Sequence, residues 1–116
     1  MKPAVLLLIG VAGVAGCSGD ASGGSVDGPT IFATVCATCH GPTGKPLPQM
    51  VIQMNPRDLT APEFRARVTK ELVANQVRDG SANRRMPPLG TSLKPAQIDA
   101  VAAFVASPAF LTTPSP

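Results

Sequence analysis

Hydrophobic residues in the second half of the chain recur at the spacing of amphipathic helices. One apolar face with i, i+3, i+4, i+7 spacing is formed by Ile98, Val101, Ala102 and Val105. A narrower face precedes it, formed by Leu72, Val73, Gln76 and Val77. No stretch alternates in the way that a half-buried strand does. The pattern predicts an all-α protein with helices over residues 29–37, 60–68, 70–79 and 95–106.

Local signals set the limits of these helices. Pro29 and Pro95 suit a first helical turn, where a missing N–H costs nothing. The string Thr60-Ala61-Pro62-Glu63 has the form of a capping box, with Thr60 as the N-cap. Thr69 is the predicted cap of the next helix, which Gly80 ends. Lys94 is a poor N-cap, so we expect the last helix to fray at its start.

The segments between and after these helices are predicted to be irregular. Residues 41–58 contain four Pro and two Gly, which predicts a loop rather than a helix. Residues 81–92 are predicted to form a second loop. Pro108 closes the last helix, and we expect residues 108–116 to form a disordered C-terminal tail.

The N-terminus has the pattern of an export signal. Residues 3–16 are uncharged and too short to span a bilayer comfortably, which is typical of a signal peptide. They end in Val14-Ala15-Gly16 before Cys17, which resembles the lipobox of bacterial lipoproteins, whose Cys carries lipid. The alternative is an ordinary signal cleaved near Ala15. We expect a signal peptide over 1–16 and a flexible, lipid-anchored tether over 17–27.

Composition indicates that side chains alone do not fill the interior. The 116 residues allow one domain, and they include four Phe but no Tyr or Trp. Gly and Pro number 11 and 13, and charged residues make up 15%. A charge-rich disordered protein and a multidomain enzyme are therefore excluded. A bound group is expected to complete the core.

The string Cys36-Ala37-Thr38-Cys39-His40 indicates that the bound group is haem, because C-x-x-C-H is the attachment signature of c-type haem. On a helical turn the two thiols face one side and can reach the two vinyl groups of one porphyrin. His40 then presents its imidazole to the iron. A structural zinc site would need four Cys or His ligands, and the chain has a single His. A thioredoxin-type disulfide would need a βαβ context, which the pattern does not predict.

Residues 28–107 resemble a class I c-type cytochrome. Gly28 and Phe32 lie eight and four positions before Cys36, where that family has a Gly and an aromatic residue. Val101 and Phe104 lie in the last helix, which in the family crosses the first near that Gly. Gly41 and Gly44 fit the turn after the His, and Met86-Pro87-Pro88 is similar to the axial-methionine loop. The resemblance implies a small all-α fold wrapped around one haem c, bound through Cys36 and Cys39.

The resemblance also implies the axial ligands. His40 takes one axial position and donates its other ring N–H to a Pro carbonyl, for which Pro48 and Pro46 are the candidates. Met86 is the expected second ligand, because Pro87 holds it extended and its context matches the family. The alternatives are Met50 and Met54, which we otherwise expect to pack at the haem edge.

His and Met ligation predicts a one-electron carrier that is not itself an enzyme, because it leaves no open site on the iron. The alternatives are a haem c subunit of a membrane or periplasmic oxidoreductase complex and, further off, a peroxidase-type haem enzyme or gas sensor. We expect an exported, periplasmic lipoprotein held at a membrane through Cys17. Ser18 favours the outer membrane.

Charge points to protein partners. The net charge of +3 falls to +2 without Lys2 and approaches zero with two haem propionates, so it gives no indication of nucleic-acid binding. Basic residues concentrate between Arg57 and Arg85. Arg84 and Arg85 flank the axial-methionine loop and are candidates for steering acidic redox partners. Arg57 is a candidate partner of a propionate, and a solvated helical face is the alternative interpretation of all these residues.

Overall fold

The computed structural model describes residue 13 and residues 24–114, and all the regular structure in this part of the chain is helical. The all-α prediction is confirmed. The helices are α1 (Gly28–Ile31), a π-helical segment (Phe32–Cys36), α2 (Ala37–His40), α3 (Pro48–Met54), α4 (Pro62–Arg65), α5 (Lys70–Asp79), α6 (Pro95–Ala106) and a 3₁₀ helix (Pro108–Leu111). None of these helices is long and apolar enough to cross a membrane. The predicted signal peptide, Cys17 and the tether up to residue 23 fall outside the described residues, apart from Gly13.

The first helical stretch runs without a break from α1 to α2 and therefore ends three residues later than predicted. Asp27 caps its start: its carboxylate accepts from the Thr30 backbone N–H at 3.1 Å and from the Thr30 hydroxyl at 2.6 Å. Gly41 ends the stretch with φ of +80°, and a Cβ there would lie 1.9 Å from the Lys45 carbonyl oxygen. The π-helical segment ends at Cys36, directly where the attachment motif begins. Such segments often mark functional positions in helices.

The first stretch crosses α6 at close range. A Cβ on Gly28 would lie 2.6 Å from the Cβ of Phe104, so only Gly fits at the crossing. Phe32, Phe104 and Phe110 then pack edge to face, with ring centroids 5.0 to 6.3 Å apart. Three of the four Phe residues therefore form one cluster where the two helices meet. The predicted contact between the last helix and Gly28 is present.

The helix α3 contradicts the prediction of a loop over residues 41–58. Pro48 stands in its first turn, where a Pro is compatible with helix, and no Pro follows before Met54. Asn55 ends α3 in the left-handed conformation, with φ of +47°. The count of Pro residues was misleading because their positions, and not their number, decide whether a helix can form.

The helix α4 is shorter than predicted, and Thr60 does not cap it. Ala61 is its N-cap and Arg65 its last residue, whereas a helix from Thr60 to Val68 was expected. The Thr60 N–H and hydroxyl both donate to one oxygen of Asp58, at 2.8 and 2.6 Å. This local turn engages the Thr60 side chain before the helix starts, so the capping box is not formed.

The helices α5 and α6 have the predicted limits. Thr69 caps α5 by accepting from the Leu72 N–H at 3.1 Å. The expected fraying of α6 is wrong, because the side chain of Gln97, only 1% exposed, replaces a cap. Its oxygen accepts from the Lys94 N–H at 2.8 Å, and its amide donates to the Ser25 carbonyl at 2.9 Å. Gln97 therefore ties the start of α6 to the segment that precedes α1.

The prediction of a disordered tail from residue 108 is wrong for its first four residues, which form the 3₁₀ helix. Phe110 is 4% exposed and completes the aromatic cluster, so the 3₁₀ helix belongs to the core. Arg65 holds the same segment, because its guanidinium donates to the carbonyls of Val105 and Ser107 at 2.7 and 3.0 Å. Apolar burial of Phe110 and the charge-assisted hydrogen bonds of Arg65 together hold the 3₁₀ helix in place.

Candidate haem site

Two adjoining cavities meet at His40, Gln76 and Met86. The outer cavity has a volume of about 250 Å³, and its lining includes Cys39 and Arg57. The inner cavity has a volume of about 60 Å³. Apart from Cys36 and the three shared residues, the inner cavity is lined by Phe32, Leu59, Phe64, Val73, Val77, Val101 and Val105. An apolar interior behind a more polar mouth fits a flat macrocycle that has polar groups at one edge.

Both thiols of the motif border this space. Cys36 and Cys39 form no disulfide with each other and are partly buried, and they line the inner and the outer cavity respectively. Burial, with a smaller effect of Cys39, raises the pKa of the Cys36 thiol to about 12. A thioether has no charged form, so its burial at this position costs no charge desolvation. The pair therefore fits covalent attachment of a porphyrin better than a thiolate site.

The imidazole of His40 is oriented by a backbone carbonyl. Its Nδ1 lies 2.9 Å from the carbonyl oxygen of Arg57. A carbonyl can only accept, so Nδ1 carries the proton and Nε2 is left free to bind a metal. Burial lowers the pKa of His40, which favours the neutral imidazole that binds metals.

The predicted partners of His40, Pro48 and Pro46, are therefore wrong. Pro48 begins α3, where its carbonyl belongs to the hydrogen-bond ladder of that helix. The left-handed Asn55 then turns the chain after α3, and the carbonyl that reaches His40 is the one at Arg57. The helix that the sequence did not predict thus decides which carbonyl orients the imidazole.

The structure brings Met86 to the same space as His40, because both residues line both cavities. Met54 lines the outer cavity only, and Met50 lines neither. Of Met50, Met54 and Met86, only Met86 therefore shares the inner, apolar cavity with His40. This placement makes Met86, of the three, the candidate for a second ligand beside His40.

The basic residues near the site differ in position. Arg57 and Arg85 line the outer cavity, whereas Arg84 is exposed and does not. The guanidinium of Arg57 also lies over the ring of Phe64, 5.9 Å from its centroid. Positive charge is thus concentrated at the mouth of the cavity and absent from its interior.

Two residues of the site were not predicted in their roles. The carbonyl of Arg57 had no distinguishing signal, because every residue has a carbonyl. Gln76 lines both cavities, and its amide donates to the Gly80 carbonyl at 2.6 Å. The sequence signal for Gln76 is a polar residue within the apolar face of α5, and the helical pattern alone does not indicate its place in the site.

Comparison with known proteins agrees with this geometry. The solved KustC0563 c-type cytochrome is 26% identical to this chain, with a TM-score of 0.61. The alignment covers 69% of this chain and 94% of that cytochrome. A mutant of that protein gives 27% identity and a TM-score of 0.60, over 70% and 96% of the two chains. No curated protein matches the chain.

The family model described as cytochrome C oxidase, cbb3-type, subunit III matches residues 26–105. The chain belongs to this family. It is a class I monohaem c-type cytochrome, and its cofactor is covalently bound haem c. Cys36 and Cys39 have the spacing that attaches haem in such a cytochrome.

Proposed function

We propose that this cytochrome is a one-electron carrier in which Cys36 and Cys39 form the thioethers and His40 and Met86 are the axial ligands. The observation that carries the proposal is the shared lining of the two cavities. His40 and Met86 border both of them, and the hydrogen bond from Nδ1 to Arg57 leaves Nε2 of His40 for the iron. Haem bound in this way supplies an iron that alternates between the ferric and ferrous states.

The protein residues keep structural change small during electron transfer. Arg57 fixes the plane of the imidazole, and the apolar inner lining excludes water from the buried part of the site. A thioether ligand favours the ferrous state and raises the reduction potential. If His40 and Met86 both hold the iron, no position on it would be left open for a small ligand, and electrons would reach partner proteins at the mouth of the outer cavity, where Cys39 lies. This arrangement suits electron transfer between proteins and opposes turnover of peroxide.

Reaction with small ligands tests the carrier against the enzyme or sensor. The haem-loaded protein is expected to bind carbon monoxide slowly in the ferrous state, because Met86 must first leave the iron. We also expect it to turn over no peroxide. Stopped-flow absorbance measures both reactions. Rapid binding of carbon monoxide, or sustained peroxide consumption, would show an open iron and replace the carrier with an enzyme or a sensor.

A haem c subunit of an oxidoreductase complex is the second candidate, and the family match favours it because that family is named for an oxidase subunit. Isolation of the tagged protein from its native membranes in mild detergent distinguishes the two roles. A subunit would co-purify in fixed ratio with haem proteins of an oxidase or dehydrogenase. A shuttle would be recovered alone.

We propose further that the cytochrome is an exported lipoprotein, tethered to the outer face of a bacterial membrane. Of the two membranes of such a cell, the outer membrane is the favoured location. The support is the apolar run before Cys17, the small residues adjoining it, and Ser18 after it. The test is to grow cells with a labelled fatty acid, isolate their membrane fraction and measure the label on the cytochrome. The wild-type protein is expected in the membrane fraction and to carry the label. The Cys17→Ala variant is expected to carry no label. Equal labelling of both would exclude Cys17 as the lipid site.

Partner recognition is proposed to use the mouth of the outer cavity. Arg85 lines the mouth, and Arg84 is exposed beside it in sequence. The charge of Arg85 at the mouth and the exposed charge of Arg84 next to it in sequence attract acidic redox proteins toward the place where the electron leaves.

A further inference from the structure

The loop that carries Met86 is closed by two hydrogen bonds between its first and last residues. The Ser81 N–H donates to the Met86 carbonyl at 2.9 Å, and the Met86 N–H donates to the Ser81 hydroxyl oxygen at 3.0 Å. The first of these bonds joins two backbone groups, whereas the second depends on the side chain of Ser81. The amide of Met86 is therefore held by the hydroxyl of Ser81.

The hydroxyl is itself fixed in direction. It donates to the Asn83 side-chain oxygen at 2.7 Å, and that oxygen also accepts from the Arg85 N–H at 3.0 Å. Because its proton is engaged by Asn83, the hydroxyl presents a lone pair to Met86. Within the same turn the Arg84 N–H donates to the Ser81 carbonyl at 3.0 Å, with Arg84 in the left-handed conformation at φ of +59°.

Both ends of the loop are attached to the end of α5. A Cβ on Gly80 would lie 2.6 Å from the Met86 carbonyl oxygen, so the loop passes directly over this residue. Beyond the loop, the N–H groups of Leu89 and Gly90 donate to the carbonyls of Val77 and Arg78 at 2.9 and 3.2 Å. The backbone on either side of Met86 is thus anchored, and the Ser81 hydroxyl holds Met86 itself.

We propose that Ser81 is the positioning residue for Met86, and that its hydroxyl keeps the thioether directed into the cavities shared with His40. The proposal rests on axial ligation by Met86, as proposed above. Loss of the hydroxyl leaves the Met86 N–H without this acceptor. The methionine then leaves the iron more often, while the haem and the helices stay in place.

The test is the rate at which carbon monoxide binds to the ferrous, haem-loaded protein, because that rate follows the fraction of molecules with Met86 off the iron. Removal of one hydrogen bond corresponds to roughly a 2- to 10-fold change in an equilibrium. Ser81→Ala is therefore expected to bind carbon monoxide about 2- to 10-fold faster than the wild type. Ser81→Thr keeps a hydroxyl and is expected to restore the wild-type rate.

Two control variants separate positioning from general stability. Ser92→Ala removes an exposed hydroxyl from the chain that follows the loop. Thr69→Ala removes a side-chain acceptor at the other end of α5 and is expected to destabilise the protein, as the loss of a helix cap does. Neither is expected to change the carbon monoxide rate. An equal acceleration in Thr69→Ala and Ser81→Ala would show that the effect is only loss of stability and would overturn the positioning role.

The ferric spectrum of the same samples distinguishes the two proposals. A wild-type protein that lacks the weak band from Met sulfur to ferric iron would overturn ligation by Met86, and the role of Ser81 with it. A wild type that has the band, combined with an unchanged carbon monoxide rate in Ser81→Ala, would overturn the role of Ser81 alone.

Discussion

At position 28 the first helical stretch and α6 approach so closely that a hydrogen atom is the largest side chain that fits. A Cβ there would lie 2.6 Å from Phe104 Cβ and 2.7 Å from the Ala100 carbonyl oxygen. Gly to Ala in a helix ordinarily stabilises, by up to about 1 kcal/mol, because it lowers the entropy cost of folding. At this crossing the substitution is expected to destabilise the protein instead, because the two helices must separate to admit a methyl group.

Gly28→Ala is therefore expected to lower the free energy of unfolding by roughly 1–3 kcal/mol, which is typical of overpacking. Denaturant unfolding of the haem-loaded protein, followed by absorbance of the haem band, measures it. Thr34→Ala, on the exposed side of the same stretch, is the control and is expected to stay within about 0.5 kcal/mol. A Gly28→Ala protein as stable as the wild type would show that the crossing is looser than described.

Most of the candidate haem-binding residues are predictable from the sequence because they lie in one contiguous motif. The string from Cys36 to His40 gives two thiols and an imidazole without knowledge of the fold. The acceptor for His40 was not predictable in the same way. It is a carbonyl, and the path of the chain through α3 and Asn55 determines that it belongs to Arg57 rather than to Pro48.

At the scale of elements, the 3₁₀ helix at the C-terminus is part of the folded core. The ring centroid of Phe110 lies 5.0 Å from that of Phe32 and 5.3 Å from that of Phe104. The sequence predicts disorder for this segment, so its place in the core is a difference from the prediction. The same cause explains both this helix and the unpredicted α3. Pro108 and Pro48 each stand in the first turn of a helix, where Pro is favourable, but each was interpreted as the end of regular structure.

Replacement of Phe110 measures how much this element contributes. Phe110→Ala is expected to destabilise the protein by about 3–5 kcal/mol, because it empties a buried aromatic position. The neighbouring Leu111 is 52% exposed, so Leu111→Ala is the matched control and is expected to cost much less. Thermal unfolding of both variants in haem-loaded form provides the comparison. Equal, small losses in the two variants would mean that the tail contributes little to the core.

At the scale of the whole molecule, positive charge at the mouth of the outer cavity is expected to set the rate of reaction with anionic partners. Ferricyanide is a suitable anionic oxidant for the reduced cytochrome. Replacement of Arg84 and Arg85 by Gln is expected to slow this oxidation several-fold at low ionic strength, and by no more than about 10-fold. At high ionic strength the two rates are expected to converge, because salt screens the charges.

A second pair of arginines provides the control for this experiment. Arg67 and Arg78 are exposed and do not line the outer cavity. The Arg67→Gln/Arg78→Gln variant has the same net charge as the Arg84→Gln/Arg85→Gln variant. At low ionic strength it is expected to react with ferricyanide faster than the Arg84→Gln/Arg85→Gln variant does. Identical rates in the two double variants would show that only the total charge matters. They would contradict a specific role for positive charge at the mouth of the outer cavity.

The absorption spectrum of the haem-loaded protein, oxidised and reduced, tests axial ligation by His40 and Met86 most directly. The wild type is expected to give a low-spin c-type spectrum with the weak band from Met sulfur to ferric iron. The band is expected to disappear in Met86→Ala and to persist in Met54→Ala, since Met54 lines only the outer cavity. A band that survives in Met86→Ala, or a high-spin wild type, would contradict the account.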